Sequence, residues 1–220
     1  MTQIGDFTRF KQLPKSLLIK WILFLAVVYG LYDGVYIAAD EQRLMIDFAN
    51  VSSRLLPMIV LHIDVPLLIG SAVICLLFAR RQSMAALAMR TKKQIAWMAV
   101  GAGVFVAAVY VSRPAGAVEA YEILHALVIG GLLEELIFRG IFFNWLDHAG
   151  LGRLAYLLSG LAWGAHYGIR AMVVNGTMTL WAVLPMAVFG VIVGTLAALI
   201  YKKTDSLWLV TYLHAALSLL

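Results

Sequence analysis

Cysteine and charged residues are both scarce in this sequence. It contains a single cysteine, Cys75, so no disulfide can form within the chain. Only 13% of the 220 residues are charged, while 63% are hydrophobic. An average soluble domain has roughly half its residues apolar and about a quarter charged. So few charges cannot cover a water-exposed surface, which predicts a chain that faces lipid.

Several other features are missing from the sequence. The formal net charge is +5, but no basic stripe with interleaved aromatic residues occurs, so we expect no nucleic-acid partner. The polar, basic first 15 residues and the long first apolar run predict no cleavable signal peptide. No internal repeat and no long linker is evident. We therefore predict a single integral membrane domain over residues 1–220.

Seven hydrophobic runs dominate the sequence. In lipid an open strand would leave its backbone polar groups unpaired, so each run is predicted to be a helix. The fold class is therefore all-α, a polytopic transmembrane helical bundle of about seven spans, in which the spacing Gly190-x-x-x-Gly194 predicts close helix packing. The runs cover residues 17–38, 55–79, 94–112, 120–146, 153–172, 179–201 and 206–220.

The distribution of basic residues predicts how the chain is oriented in the membrane. Cytoplasmic segments carry an excess of lysine and arginine. With the N-terminus inside, eleven such residues fall on the cytoplasmic side and four on the outer side. This predicts a multi-pass protein of the cell membrane with N-in and C-out topology. The inner set is Arg9, Lys11, Lys15, Arg80, Arg81, Arg90, Lys92, Lys93, Arg153, Lys202 and Lys203, and the outer set is Arg43, Arg54, Arg113 and Arg170.

Two adjacent carboxylates, Glu134 and Glu135, lie inside the fourth run. A charge at the bilayer centre costs about 3 kcal/mol or more, so an ionisable residue there indicates a functional site. Arg139 follows Glu135 by four residues, and on a helix the two share a face and can pair. Glu134 points about 100° away, which leaves its carboxylate free for general acid/base chemistry.

Two histidines lie in later apolar runs. His166 is in the fifth run and His214 is in the seventh, with Ser218 four residues further on and hence on the same helix face. A histidine among apolar residues needs a polar partner, and Glu134 on a third helix is the expected one. Asp33, near the outer end of the first run, is instead expected to be interfacial.

These residues resemble a known set of motifs. The run Glu134-Glu135-x-x-x-Arg139 is similar to the first signature of the CAAX-protease and bacteriocin-processing (Abi) family of glutamic-type intramembrane proteases. His166, 27 residues after Arg139, falls at the place of the family's second motif, and His214 at the place of its third. The resemblance covers about residues 120–220.

The resemblance implies a membrane-embedded endopeptidase that acts on a hydrophobic or lipidated peptide or protein within the lipid bilayer. The site residues that it implies are Glu134, Glu135, Arg139, His166, His214 and Ser218.

Two mechanisms fit this resemblance. In one, Glu134 and His166 activate a water, while His214 and Ser218 donate hydrogen bonds to the oxyanion. In the other, His166, His214 and Glu134 ligate a divalent metal such as zinc. The histidines are 48 residues apart and no His-Glu-x-x-His run occurs, so no cofactor is favoured.

Two other functional classes stay open. The family's second motif has an aromatic residue where this chain has Ala162, and its third ends in Asn or Asp where this chain has Ser218. Both departures support a non-catalytic membrane protein with an immunity or regulatory binding role. The same ionisable residues could also form an ion path, but a transporter typically shows an inverted repeat, which is missing here.

Overall fold

Seven helices make up the part of the chain that the structure describes. The computed structural model describes residues 10–41, 55–112, 116–175 and 180–220, and within these ranges it contains helices and turns but no strand. Each of the seven predicted runs coincides with one helix, which confirms the all-α class. The helices are α1 (Lys15–Glu41), α2 (Leu56–Leu87), α3 (Lys92–Ser112), α4 (117–148), α5 (Arg153–Asn175), α6 (Leu180–Thr204) and α7 (Leu207–Ser218).

Four of the described helices are long and apolar enough to cross a membrane. These segments are Lys15–Ala38, Leu56–Leu87, Lys92–Ser112 and Val183–Thr204. Helix α7 is apolar but shorter. The architecture is therefore that of a helical membrane bundle, while the predicted number of seven spans and the orientation remain predictions.

Helix α4 lies at the centre of the bundle. It packs against α2, α5 and α7, while α7 also packs against α3, and α5 also packs against α1 and α6. All residues of the segment Leu136–Phe143 are buried. Neighbouring helices thus surround this part of α4, which keeps its polar side chains away from lipid.

Helix α4 is not α-helical along its whole length. Ala126–Leu133 and Leu136–Phe143 are π-helical, with the wider turn that i→i+5 hydrogen bonds produce. Glu134 and Glu135 lie at the junction between these two segments. Such π turns are rare and occur frequently at functional sites.

Helices α5 and α6 approach each other closely along small residues. A Cβ atom at Gly164 would lie 2.6 Å from the Ala187 carbonyl oxygen, and one at Gly190 would lie 2.8 Å from the Gly164 Cα. No side chain fits at these distances, so glycine is required for the contact. The packing role predicted for the Gly190-x-x-x-Gly194 spacing is confirmed.

Helix α2 leaves helical geometry at Ala79, where φ is −155° and ψ is 36°. The predicted run ends at this residue, but the chain continues as two further helical turns to Leu87. The Leu87 carbonyl accepts a hydrogen bond from Trp208 Nε1 at 3.1 Å. The segment between the predicted runs 55–79 and 94–112 is therefore partly helical, because residues 80–87 continue α2.

Candidate active site

Glu135 and Arg139 form the ion pair that their spacing predicts. Glu135 Oε1 lies 3.2 Å from Arg139 Nη1, and both side chains are almost completely buried. Arg139 Nη2 also donates to the Gly194 carbonyl at 3.3 Å, and its guanidinium lies 4.7 Å from the Trp163 ring centroid. The buried charge of Arg139 is thus neutralised by Glu135 and held against α5 and α6.

His214 is the second partner of Glu135. Its Nδ1 lies 2.9 Å from Glu135 Oε1, so the carboxylate orients the imidazole and directs Nε2 the other way. A Cβ atom at Gly131 would lie 2.9 Å from the Thr211 carbonyl oxygen of α7. The missing side chain at this position lets α7 approach α4 closely enough for His214 to reach Glu135.

Glu134 is surrounded by nitrogen atoms from α5 and α7. Its exposed fraction is 1%, and Oε2 accepts a hydrogen bond from Trp163 Nε1 at 3.1 Å. Glu134 Oε1 lies 3.6 Å from His166 Nε2, and Oε2 lies 3.9 Å from His214 Nε2. The carboxylate and the two imidazoles therefore converge on one place, as the sequence led us to expect.

His166 is held from behind by a residue of α1. Asp33 Oδ1 lies 3.1 Å from His166 Nδ1, and both side chains are buried. The expectation that Asp33 is interfacial was wrong, because packing of α1 against α5 buries it beside the histidine. Asp33 orients His166 in the same way that Glu135 orients His214.

Three further side chains complete the group. Two of them, Tyr167 and Arg170, were not predicted from the sequence as site residues. Arg170 Nη1 lies 3.7 Å from Glu134 Oε1, and its guanidinium lies 4.6 Å from the Tyr36 ring centroid. The Tyr167 hydroxyl lies 3.1 Å from His214 Nε2. Trp163, Tyr167 and Arg170 all lie on α5 near His166. The distribution of basic residues predicts Arg170 on the outer side of the membrane and gives no sign of its contact with Glu134.

The charges of this cluster balance under a simple condition. Three carboxylates face two guanidiniums and two imidazoles, so one protonated imidazole makes the group neutral. Neutrality matters because an uncompensated buried charge costs several kcal/mol. The three carboxylates belong to Asp33, Glu134 and Glu135, the guanidiniums to Arg139 and Arg170, and the imidazoles to His166 and His214.

A cavity of about 380 Å³ leads to the cluster from one end of the bundle. Tyr167, Arg170 and His214 form its inner wall, and Glu119 and Glu122 of α4 line it nearer the helix ends. Glu134 lies directly behind this inner wall, within 4 Å of both Arg170 and His214. A solute in the cavity is thus separated from Glu134 by one layer of side chains.

Ser218 also lines this cavity. Its hydroxyl donates to the His214 carbonyl of the preceding turn at 3.1 Å. The role of Ser218 as an oxyanion donor stays a prediction, and the hydroxyl would have to rotate away from this carbonyl to fill it.

A neighbouring polar group involves His125, which lines the same cavity. Asp64 of α2 accepts a hydrogen bond from the Tyr121 hydroxyl at 2.8 Å and lies 2.9 Å from His125 Nδ1. This contact joins α2 to the first turns of α4 and fixes the wall of the cavity.

The metal-dependent mechanism requires a suitable ligand arrangement. Among the described residues, no group of three or more His, Cys, Asp and Glu side chains is arranged to hold a metal ion. The two Nε2 atoms each face a different oxygen of Glu134 at 3.6 and 3.9 Å. The metal-dependent mechanism therefore stays a prediction, which activity in the presence of a chelator tests.

No curated protein and no solved structure gave a significant match. A family model described as "Type II CAAX prenyl endopeptidase Rce1-like" matches residues 116–220. The match contains the described α4, α5, α6 and α7, and hence every residue of the cluster except Asp33. Residues 116–220 are therefore similar to the Rce1-like family of endopeptidases, in agreement with the resemblance that the sequence implied.

Proposed function

We propose that the protein hydrolyses a peptide bond of a hydrophobic or lipidated peptide or protein at the membrane, with Glu134 as the general base. One observation carries this proposal. Both oxygens of the Glu134 carboxylate face imidazole Nε2 atoms, and each imidazole is held through Nδ1 by a second carboxylate. Paired histidine–carboxylate units around a buried carboxylate are suited to moving protons.

Glu134 and His166 provide a place to activate water. Glu134 Oε1 and His166 Nε2 are buried, lack hydrogen-bond partners among the described residues and face each other at 3.6 Å. Entry of the water and the scissile bond requires the side chains of the inner cavity wall to move. Glu134 then removes a proton from the water as the water oxygen attacks the scissile carbonyl carbon. The proton then passes to the amide nitrogen as the C–N bond breaks, which gives a carboxylic acid product and an amine.

His214 and Tyr167 are suited to stabilise the oxyanion that forms in this step. Both line the cavity, and His214 Nε2 lies 3.1 Å from the Tyr167 hydroxyl. A protonated His214 and the Tyr167 hydroxyl could each donate a hydrogen bond to the carbonyl oxygen. Loss of one such donor typically costs about 10²–10³ in rate. Tyr167 is better oriented for this role than Ser218, whose hydroxyl is bonded to its own helix.

The test is substitution of Glu134 by Gln, which keeps the shape of the side chain and removes its basicity. Two probes are a quenched fluorescent peptide with a prenylated C-terminal CAAX-type sequence and the same peptide without the prenyl group. We expect the purified wild-type protein to cleave at least one probe and Glu134→Gln to cleave it about 10²–10⁴ times more slowly. Thermal unfolding of the variant checks that the fold is kept.

The opposite results have clear meanings. Equal cleavage by Glu134→Gln and wild type would remove Glu134 from the mechanism. Failure of the wild type to cleave either probe would favour the non-catalytic binding role. Activity that is lost with a chelator and restored by a divalent metal would replace the metal-free mechanism.

A further inference from the structure

A second cavity of about 380 Å³ lies at the other end of the bundle from the active-site cavity. The C-terminal turns of α2, α4 and α6 form it together with the start of α3. Its polar lining includes two arginines, a histidine and one carboxylate. The polar residues are Arg81, Gln82, Arg90, Gln94, Asn144, His148, Tyr201 and Asp205.

This end of the molecule is strongly basic. Among the described residues at these helix ends there are seven lysines and arginines but only two aspartates, Asp147 and Asp205. Asp147 pairs with Lys202 at 2.7 Å, and Asp205 Oδ2 accepts a hydrogen bond from Gln94 at 3.0 Å. In the described part of the chain, neither Arg81 nor Arg90 takes part in an ion pair. Both guanidiniums are thus available to an anion.

The fold fixes the walls of this cavity. After the break at Ala79, the two turns that carry Arg81 pack against α4, where a Cβ atom at Gly140 would lie 3.1 Å from the Ala86 Cβ. Asn144 donates to the Tyr201 hydroxyl at 2.9 Å, which joins α4 to α6. The Arg81 backbone is therefore held beside the cavity by helix packing.

A third cavity, apolar and of about 360 Å³, adjoins this basic cavity, and Gln82 and His148 line both of them. Leu17, Trp145 and Ala149 form its apolar wall. Lys20 Nζ lies 4.3 Å from the Trp145 ring centroid at its edge. Tryptophan and lysine at a helix end are typical of the membrane–water interface.

We propose that the basic cavity and the adjoining apolar cavity together bind one anionic phospholipid. Neither cavity is lined by a catalytic group. The phosphate lies between Arg81 and Arg90, because guanidinium groups bind phosphate oxygens through paired hydrogen bonds. The glycerol end of the acyl chains lies against Trp145 and Leu17. An anionic headgroup suits this end of the protein better than a zwitterionic one, because the surrounding charge is almost entirely positive.

The test measures lipid retained by the purified full-length protein with native mass spectrometry. Phosphatidylglycerol, phosphatidylcholine and inorganic phosphate are added separately and in competition. The double variant Arg81→Gln/Arg90→Gln is compared with Arg80→Gln/Lys92→Gln, which removes the same charge at the same end from residues that line neither cavity. We expect phosphatidylglycerol affinity to fall roughly tenfold for each cavity arginine removed and to change little in the control.

A second variant guards against misfolding. Arg81→Lys/Arg90→Lys keeps the charge but loses the planar donor pair, so its affinity should fall between that of wild type and that of the double glutamine variant. Equal losses in the cavity and control variants, or equal retention of phosphatidylglycerol and phosphatidylcholine, would overturn the proposal. Displacement of the lipid by inorganic phosphate at equal concentration would show that the ligand is the free anion, which would also overturn it.

Discussion

At the scale of single residues, neighbouring carboxylates have different partners. Glu135 contacts Arg139 and His214, whereas Glu134 faces His166, His214, Trp163 and Arg170. The first set fixes a buried cation and an imidazole, so Glu135 contributes mainly to stability. The second set surrounds a carboxylate whose two oxygens face two different imidazoles. We therefore expect substitutions at the two positions to affect different properties.

Substitution of Glu135 by Gln should destabilise the protein strongly. It leaves the Arg139 guanidinium buried without a counter-charge, and breaking a buried ion pair typically costs about 3–5 kcal/mol. The thermal midpoint of the purified protein in detergent measures this loss. The matched control is Asp147→Asn, which removes a more exposed ion pair with Lys202 and should cost at most about 1 kcal/mol. Equal midpoints for Glu135→Gln and wild type would show that Arg139 does not depend on Glu135.

Substitution of Asp33 by Asn should lower kcat more than it raises KM. The carboxylate of Asp33 holds the proton of His166 on Nδ1 and leaves Nε2 facing Glu134, and an amide no longer selects this tautomer. Loss of such an orienting carboxylate can cost up to about 10⁴ in kcat. Kinetics on the cleaved probe separate kcat from KM, and Asp147→Asn again serves as the control. An unchanged kcat in Asp33→Asn would mean that His166 is oriented without this carboxylate.

The sequence predicts contacts within one helix better than contacts between helices that are distant in the chain. The Glu135–Arg139 pair could be predicted because it depends only on the geometry of one helix. The contact of Asp33 with His166 could not, since it joins residues 133 positions apart through the packing of α1 on α5. Arg170 was missed for a related reason. A charge near a helix end indicates the membrane surface, and only the tertiary structure turns this one towards Glu134.

At the scale of helices, the close approach of α7 to α4 depends on Gly131. A Cβ atom there would lie 2.9 Å from the Thr211 carbonyl oxygen, whereas one at the adjacent Gly130 meets nothing within 4 Å. We expect Gly131→Ala to separate the helices at a cost of about 1–3 kcal/mol. Gly130→Ala should leave the thermal midpoint unchanged or raise it slightly, because alanine is the better helix former. Similar midpoints in both variants would show that the α4–α7 contact can adjust to a methyl group.

Hydrophobic runs predicted the helices well but not their internal irregularities. The limits of α5 and α6 agree with the predicted runs to within a few residues, since each helix is formed by one continuous apolar run. The break at Ala79 and the π-helical segments of α4 leave no mark in hydropathy. Both lie in helices that pack against several neighbouring helices.

At the scale of the whole molecule, basic residues gather at one end of the bundle and the active-site cavity opens at the other. Lys93 Nζ donates to the Lys203 carbonyl at 2.8 Å, so the basic ends of α3 and α6 meet. The cavity lies at the opposite end, where Ser112, Glu119 and Ser218 line it. Under the predicted N-in topology, this cavity opens towards the outer face of the membrane.

Single cysteines can test this orientation because the chain has only Cys75 to remove. In a Cys75→Ser background, Gly116→Cys marks the cavity end and Lys203→Cys marks the basic end; both positions are exposed. A membrane-impermeant maleimide should label Gly116→Cys in intact cells and Lys203→Cys only after permeabilisation. The reverse pattern would invert the topology and turn the cavity to the cytoplasm.

The two π-helical segments of α4 have a genetic consequence. Each wide turn holds one residue more than an α-helical turn needs. Loss of a single codon between residues 126 and 133 could therefore convert this stretch to regular α-helix. Because the wide turn gives up its extra residue, the remainder of α4 would keep roughly its orientation. Glu134, Glu135 and Arg139 would stay at the site, so a one-residue deletion here should be tolerated better than one in the α-helical segment Ala117–His125, where each lost residue turns the rest of the helix by about 100°.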